Sequence, residues 1–438
     1  MAVNEDGLHH LNGTLDYGVA SSAGQIEGGI LSHNWDDWCK QGRIKDRTTY
    51  SRANDFRRLW RGDIDMMADM GIKTYRFSIE WSRVEPEQGV YNQEETDWYR
   101  ELLMYMKSKG IMPLLTLHHF TTPMWFEKMG AFEKPDNIPV FLGFVAYAVK
   151  QFGDMVNEYV TINEPNVFAS EGYFNGVFPP GKRSYKLACR VQSVMASCHV
   201  HAYILIHKLR KEMGYDDTKV GFANHLRVFK PKNPGNPWHR FCASLTGHAF
   251  QGTLTNACLL GRFRLPLIAY GGIKPGEYAD FLGINYYSCS SVSKIGGNDQ
   301  DGAYKNDLDW DIYPEGIRQC AESQYKVLQR PVYITENGAC DNHDTFRCLF
   351  IYDHLKALLS SDLPIQRYYY WSFTDNFEWA EGESSRFGLV HVDYETQKRT
   401  IKKSGRFYSE IIKNNGVTEE MYKEYVEPQK YPARACCV

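Results

Sequence analysis

The sequence lacks the marks of several large protein classes. Its 50 Lys and Arg residues are balanced by 53 Asp and Glu residues, so a formal net charge of −3 offers no basic surface for nucleic acid or an anionic membrane. Its longest apolar runs, such as residues 111–117, fall far short of the roughly 20 residues that span a bilayer. No repeat of roughly 20–50 residues and no low-complexity segment occurs, which excludes solenoids and propellers. We therefore expect no nucleic-acid partner and no membrane partner.

The sequence also lacks a secretion signal and a disulfide framework. Residues 1–16 are polar and contain no apolar signal core, which argues against export. The 11 cysteines are an odd number without a repeated metal-type spacing, and a chain of 438 residues does not need disulfides to hold its core. These patterns predict reduced thiols and a cytoplasmic location. The sequence leaves the oligomeric state open, and a homo-oligomer is compatible with it.

A strand-then-helix rhythm runs along the chain. Eight runs rich in β-branched and aromatic residues are typical of strands. They cover residues 15–21, 73–79, 112–118, 159–163, 219–224, 280–287, 331–336 and 367–373. Between them lie stretches with helical periodicity, the clearest at 54–70 and 187–209. Strands that are apolar almost throughout indicate a parallel sheet that is buried on both faces.

The simplest fold that joins eight such strand–helix units into one sheet is a single, closed (β/α)8 barrel. The length also allows two or three domains, but barrels with insertions reach this size as one unit. We predict an α/β protein with one (β/α)8 (TIM barrel) catalytic domain over residues 1–438 and with elaborated loops at the carboxyl ends of its strands. Reactive residues should lie there, because these loops form the deep cleft of such a barrel.

Polar and aromatic side chains do stand at the ends of the predicted strands, where core residues would be apolar. They are His118 and His119 at the third strand, Asn163 and Glu164 at the fourth, Asn285, Tyr286 and Tyr287 at the sixth, Glu336 at the seventh and Trp371 in the eighth. A glutamate at the end of an apolar strand is costly to bury unless it is paired or catalytic. Two glutamates in one cleft, with aromatic rings for a sugar to pack on, are what glycoside hydrolysis requires.

The residues around both glutamates resemble those of glycoside hydrolase family 1. Tyr-Ile-Thr-Glu-Asn-Gly at 333–338 is similar to the family's nucleophile signature, and Thr-Ile-Asn-Glu-Pro at 161–165 is similar to its acid/base motif. The agreement continues in order along the chain, at 23–28, 75–83, 377–382 and 386–388. Such ordered agreement is much more specific than any single motif within it.

The resemblance implies a retaining exo-β-glycosidase, with β-glucosidase as the first expectation. Glu336 would be the nucleophile, and Glu164 would begin protonated, serve as acid and then as base, with the two carboxyl groups about 5–5.5 Å apart. Arg76 and Tyr287 would contact Glu336, and as donors they are expected to lower its pKa. The terminal sugar would be held by Gln25, His119, Asn163, Trp371, Glu378, Trp379 and Phe387. The expected partner is a small-molecule β-glycoside or a short oligosaccharide, and we expect no metal and no cofactor.

Several alternatives stay open within this resemblance. A β-galactosidase, a β-fucosidase or a broad-specificity β-glycosidase would use the same two glutamates. A 6-phospho-β-glucosidase is disfavoured, because the carboxylate of Glu378 would repel phosphate, and a non-catalytic sugar-binding barrel is disfavoured because both glutamates are intact. Phe120 and Thr121 replace the family's usual Trp-Asp, a change that affects preference among sugar epimers. The sequence does not specify the natural aglycone or the capacity for transglycosylation.

Overall fold

Eight parallel strands form a closed barrel in chain order. In the computed structural model, which describes residues 9–10, 15–299, 301–302 and 304–433, each strand pairs with the next and the last pairs with the first. The strands are β1 (Asp16–Ala20), β2 (Thr74–Ser78), β3 (Met112–His118), β4 (Glu158–Asn163), β5 (Lys219–Pro231), β6 (Leu282–Val292), β7 (Val332–Asn337) and β8 (Ile365–Trp371). The predicted (β/α)8 barrel is confirmed.

Helices connect these strands. The longer ones are Asn34–Lys40, Phe56–Asp69, Gln93–Ser108, Ile138–Phe152, Tyr185–Glu212, Pro237–Gly247, Thr253–Leu260, Glu315–Tyr325, Arg347–Leu359 and Lys403–Asn414. Short helices and helical turns are Ala23–Ile26, Trp81–Val84, Met124–Lys128, Ala131–Glu133, Pro135–Asn137, Pro165–Ser170, Glu171–Asn175, His248–Gly252, Trp379–Glu381, Glu419–Met421 and Tyr422–Val426. Two small antiparallel pairs lie outside the barrel, His9–His10 with Gly416–Val417 and Val390–Val392 with Arg399–Ile401. Among the described residues, no helix combines the length and the apolar character needed to cross a membrane.

Local sequence explains where the two clearest helices begin and end. Phe56–Asp69 buries one apolar stripe, and Gly71, with a φ of 81°, reverses the chain after it. Tyr185–Glu212 begins after Ser184, whose hydroxyl oxygen accepts a hydrogen bond from the backbone N–H of Leu187. Both helices lie close to the bounds that their periodicity predicts.

Strands β5 and β6 extend beyond the barrel, and the predicted ends of these two strands were wrong. The sequence pattern ended them at residues 224 and 287, but they run to Pro231 and Val292 and stay paired to these ends. The prediction took the first polar residues as strand ends. The extension instead keeps its backbone hydrogen bonds and packs against helix Pro237–Gly247, which buries part of its surface.

The cysteines do not form disulfides in the described part of the chain. Nine of them lie there, all as free thiols, and eight of these are buried. Cys436 and Cys437 lie outside the described residues, as do residues 1–8 and 11–14 of the polar amino-terminal segment.

Candidate active site

A cavity of about 400 Å³ opens at the carboxyl ends of the barrel strands. Most of the residues that the sequence predicts for the site line it, namely His119, Asn163, Glu164, Tyr287, Glu336, Trp371, Glu378, Trp379 and Phe387. Gln25 and Arg76 are buried behind this wall, where they contact Glu378 and Glu336 respectively. Residues that are far apart in the chain therefore meet here, because they stand at the ends of barrel strands or in the loops that follow them.

Glu336 lies in β7 and is held by donors from two other strands. Arg76 of β2 donates from Nη1 to its Oε1 at 2.5 Å, and Tyr287 of β6 donates its hydroxyl to its Oε2 at 2.6 Å. Both carboxylate oxygens thus face donors that favour the ionised form. Burial, and then the negative charge of Glu336, raises the pKa of Tyr287 well above its ordinary value, so the phenol remains a donor.

The pKa of Glu336 differs from the expectation drawn from the sequence. Burial raises the pKa of Glu336 to about 7; Arg76 and Tyr287 pull it down, while the charge of Glu164 pushes it up. The two donors thus lower the pKa as expected, but burial outweighs them and the net shift is upward. The sequence names the donors around this carboxyl group but contains no measure of how completely the barrel removes it from water.

Glu164 directly follows β4 and precedes the short helix Pro165–Ser170. Its φ of 43° and ψ of 61° place it in the left-handed region, which is uncommon for a residue with a side chain. Its Oε1 accepts a hydrogen bond from Nδ2 of Asn285 at 2.8 Å and lies 3.0 Å from Nδ1 of His225. An amide and an imidazole thus surround this carboxyl group, whereas a guanidinium and a phenol surround Glu336.

One hydrogen-bond network joins the two glutamates. Asn163 accepts through Oδ1 from Nη2 of Arg76 at 2.7 Å and from Nδ2 of Asn285 at 3.0 Å. Arg76 in turn donates to Glu336, and Asn285 donates to Glu164. Because both donors occupy the oxygen of the Asn163 side chain, its NH2 group is oriented toward His119 and the cavity, with Nδ2 3.1 Å from His119 Nε2.

A third carboxyl group, Glu378, lies in the same cavity. Gln25 donates from Nε2 to Glu378 Oε2 at 3.3 Å and to the Phe377 carbonyl at 2.9 Å. Burial, and then the charge of Glu336, raises the pKa of Glu378 to about 8. Gln25 itself does not line the cavity, so it positions Glu378 in this structure.

Aromatic rings and a neutral imidazole form the wall beside these carboxyl groups. The His119 ring lies nearly parallel to those of Trp371 and Trp379, with centroids 5.7 and 6.1 Å away. Burial, and then the charge of Arg76, keeps the pKa of His119 well below its ordinary value. Its Nδ1 is buried and has no hydrogen-bond partner among the described residues.

Phe120 faces the cavity, whereas Thr121 is buried beside it. Phe120 has a φ of 67° and lines the cavity, with its ring 5.4 Å from that of Trp379. Thr121 is buried and donates its hydroxyl to Oε2 of Glu80 at 2.7 Å. At this point the cavity wall therefore presents an apolar ring and no donor.

Sequence reasoning missed several residues of the cavity. His225 directly follows the predicted fifth strand, so the strand-end rule that selected Glu164 and Glu336 could have found it. Arg227, Phe250 and Trp310 also line the cavity, and they follow no predicted strand end. No signal in the sequence could have assigned them.

The arrangement supports nucleophilic and acid/base chemistry by side chains. Two buried carboxyl groups with different partners share one network, so one can be ionised while the other holds a proton. In the part of the chain that the structure describes, no group of three or more His, Cys, Asp or Glu side chains is placed to hold a metal ion.

Comparison with known proteins gives a consistent result. The family model described as glycosyl hydrolase family 1 matches residues 9–265 and 273–417. Beta-glucosidase A of Thermotoga maritima is 32% identical, and the match covers 92% of this chain and 98% of that protein. A beta-glycosidase from Pyrococcus horikoshii has a similar structure, with a TM-score of 0.86, 32% identity and coverage of 97% of this chain and 100% of that one. The Thermotoga maritima beta-glucosidase in complex with glucoimidazole matches with a TM-score of 0.85 at 30% identity, over 93% of this chain and 99% of that one.

Proposed function

Because the chain belongs to glycosyl hydrolase family 1, we propose that it is a retaining exo-β-glucosidase with Glu336 as nucleophile and Glu164 as acid and base. Its relatives at about 30% identity include beta-glucosidases matched over nearly their whole length. The observation that carries the assignment of roles is the difference in partners. Arg76 and Tyr287 donate to both oxygens of Glu336, and no arginine contacts Glu164 in the described chain.

In the first step, ionised Glu336 attacks the anomeric carbon. The bond to the aglycone oxygen breaks as Glu164 transfers its proton to that oxygen, and a covalent glycosyl-enzyme forms with inversion. Arg76 and Tyr287 hold Glu336 and orient it for attack. Asn163 presents its NH2 group to the 2-hydroxyl, a contact that strengthens in the oxocarbenium-like transition state.

In the second step, Glu164 acts as a base. Once Glu336 is esterified, its negative charge is gone, and Glu164 has transferred its own proton to the aglycone. Glu164 therefore accepts a proton from water as the water attacks the anomeric carbon. The bond to Glu336 breaks, and the second inversion restores the β-configuration.

Glu378, Trp379, Trp371, His119 and Phe387 form the proposed sugar pocket. A carboxyl group held by Gln25 suits the neighbouring hydroxyls of a terminal glucose, and flat rings suit its C–H faces. A cavity of about 400 Å³ suits a small glycoside or a short oligosaccharide. Galactosides and fucosides would meet the same catalytic groups and differ in contacts at this wall.

The proposal also includes two properties of the whole protein. We take residues 1–438 as one catalytic domain, because the family match and the barrel together extend over most of that length. We keep the expected cytoplasmic location, which the buried free thiols of the described chain support.

The test is turnover of 4-nitrophenyl β-glucoside by wild type and by Glu336→Ala. Wild type should release nitrophenol and β-glucose as the first anomer in an NMR time course, and Glu336→Ala should lose nearly all turnover. Release of α-glucose first, or equal turnover by both proteins, would overturn the proposal. In a panel of nitrophenyl glycosides, a clear preference for the 6-phosphoglucoside would refute the role given to Glu378.

A further inference from the structure

One cation in the wall of the cavity lacks a counterion. Arg227 lies in the part of β5 that extends beyond the barrel, and its side chain lines the cavity. Two hydrogen bonds between its backbone and the side chain of Gln251, at 2.9 and 3.1 Å, hold the residue in place. Within the described residues no ion pair or hydrogen bond reaches its guanidinium group, and its buried Nε has no partner. Arg227 is partly exposed through the cavity, where an arginine beside several carboxyl groups is ordinarily paired.

The two acidic groups that act on Arg227, Glu171 and Asp311, form no ion pair with it in the described chain. Glu171 accepts hydrogen bonds from two side chains close to it in sequence, and burial raises the pKa of its carboxyl group. Asp311 forms an ion pair with Lys305. Burial lowers the pKa of Arg227, because the charges around it compensate for only part of its lost hydration.

Arg227 lies on the side of the cavity from which the leaving group departs. Glu164, the proposed proton donor, is 3.0 Å from His225, which precedes Arg227 by two residues in the same strand. The leaving group departs on the face of the sugar opposite the nucleophile Glu336. Groups that continue from Glu164 toward the mouth of the cavity therefore contact the aglycone.

Two aromatic rings line the same cavity as this cation. Phe250 packs edge-on against His225 with centroids 6.0 Å apart, and Trp310 packs edge-on against Tyr287 at 5.9 Å. Both rings line the cavity, together with Leu308. A flat apolar group can pack on this wall while an anionic substituent on it reaches the guanidinium.

We propose that Arg227 makes this enzyme select β-glucosides whose aromatic aglycone carries a carboxylate. The guanidinium would pair with the carboxylate through two N–H groups, and Phe250 and Trp310 would contact the ring. The inference rests on the proposed function, because it names the aglycone for the same cavity. It adds a residue that binds the substrate and takes no part in bond breaking.

The test compares two substrates of nearly the same shape, 4-carboxyphenyl β-glucoside and its neutral analogue 4-carbamoylphenyl β-glucoside. Glucose release gives kcat/KM for each substrate with wild type, Arg227→Met and Arg227→Lys. Differences in leaving-group ability are the same for all three proteins and cancel when the substrate ratios are compared. Because a hydrogen bond between charged groups is lost, Arg227→Met should lower the ratio of kcat/KM for the carboxylate to kcat/KM for the amide. We expect a fall of roughly tenfold to a hundredfold, mainly through KM.

Two further variants separate binding from structure. Arg227→Lys should recover part of the ratio, because it restores the charge without the planar fork. Lys45→Met is the matched control, since Lys45 lines the same cavity but already pairs with Glu381 at 2.5 Å, and its removal should change the ratio by no more than about twofold.

The outcomes distinguish this inference from the proposed function. An unchanged ratio in Arg227→Met, or an equal fall on both substrates, overturns the inference and leaves the hydrolase assignment intact. If wild type hydrolyses neither these substrates nor the nitrophenyl glucoside, the proposed function fails first.

Discussion

Replacing Arg76 with methionine should shift the pH range in which Glu336 can act as a nucleophile. Arg76 is buried in β2, and its guanidinium bridges Glu336 Oε1 at 2.5 Å and Asn163 Oδ1 at 2.7 Å. Methionine fills much of the same space without a charge. The substitution therefore removes the one arginine that contacts Glu336 in the described chain.

The size of the shift follows from the geometry. Two unit charges about 4 Å apart interact by about 4 kcal/mol at an effective dielectric constant of about 20. At 1.36 kcal/mol per pKa unit this corresponds to an upper bound of about 3 units. Water that enters the space left by the guanidinium reduces the effect, so we expect a rise of about 1–3 units above the value of about 7 that the wild-type carboxyl has.

The assay is the pH profile of kcat/KM with 2,4-dinitrophenyl β-glucoside. This leaving group needs little protonation, so the acid limb reports the ionisation of Glu336 rather than the proton on Glu164. Because only ionised Glu336 attacks, a higher pKa moves the acid limb to higher pH. Arg76→Lys keeps a charge and should move the limb less, while still losing rate because it cannot bridge Glu336 and Asn163 together.

Folding is checked by urea unfolding of the same variants. Loss of one partner of a buried ion pair costs about 3–5 kcal/mol. In Arg76→Met the folded pKa of Glu336 lies further above its unfolded value, so the stability should be greatest at low pH and fall as pH rises through the folded pKa. The double variant Arg76→Met/Glu336→Gln should recover stability above pH 7 without recovering activity. An acid limb at the wild-type position in folded Arg76→Met would refute the argument.

Three further predictions concern the remaining contacts in the cavity. Tyr287→Phe removes the donor at 2.6 Å from Glu336 and should lower kcat/KM about tenfold to a hundredfold, with an acid limb at higher pH. Asn163→Ala should lower kcat/KM much more for a β-glucoside than for the matching 2-deoxy-β-glucoside, and an equal loss on both would contradict the contact to the 2-hydroxyl. Glu378→Gln removes a carboxyl group that keeps its proton to about pH 8 when folded and to about pH 4.5 when unfolded, so wild-type stability falls with pH in that window. The free energy of unfolding of the variant, measured in urea, should fall less between pH 5 and 8, by up to roughly 3.5 kcal/mol.

The barrel and the positions of the two glutamates follow from local features of the sequence. The strands β4 and β7 are short apolar runs, and the polar residue at each end has to lie where the loops leave the barrel. This rule selects Glu164 and Glu336 without help from the resemblance. Arg76 and Gln25 came from the resemblance alone, since a buried arginine within a strand gives no local signal of its partner.

Other properties depend on the assembled structure. The paired extension of β5 and β6 could not be predicted, because the polar residues in it are tolerated only when the partner strand and a covering helix are in place. Arg227 lies in that extension, so its presence in the cavity was equally hidden. The raised pKa of Glu336 is a third case, since desolvation depends on packing from every side.

In the proposed mechanism, the donors around Glu336 distinguish it from the other two carboxyl groups of the cavity. Glu164, Glu336 and Glu378 face one cavity, and the charge of Glu336 adds to burial in raising the pKa of Glu378. Within the described residues, only Glu336 of these three pairs with an arginine. Burial raises the pKa of Glu336 to about 7 and that of Glu378 to about 8, and Arg76 opposes the rise at Glu336. A protonated Glu378 can donate to a sugar hydroxyl. Arg76 and Tyr287 thus favour the anion of Glu336, which is the form that the proposed nucleophile needs.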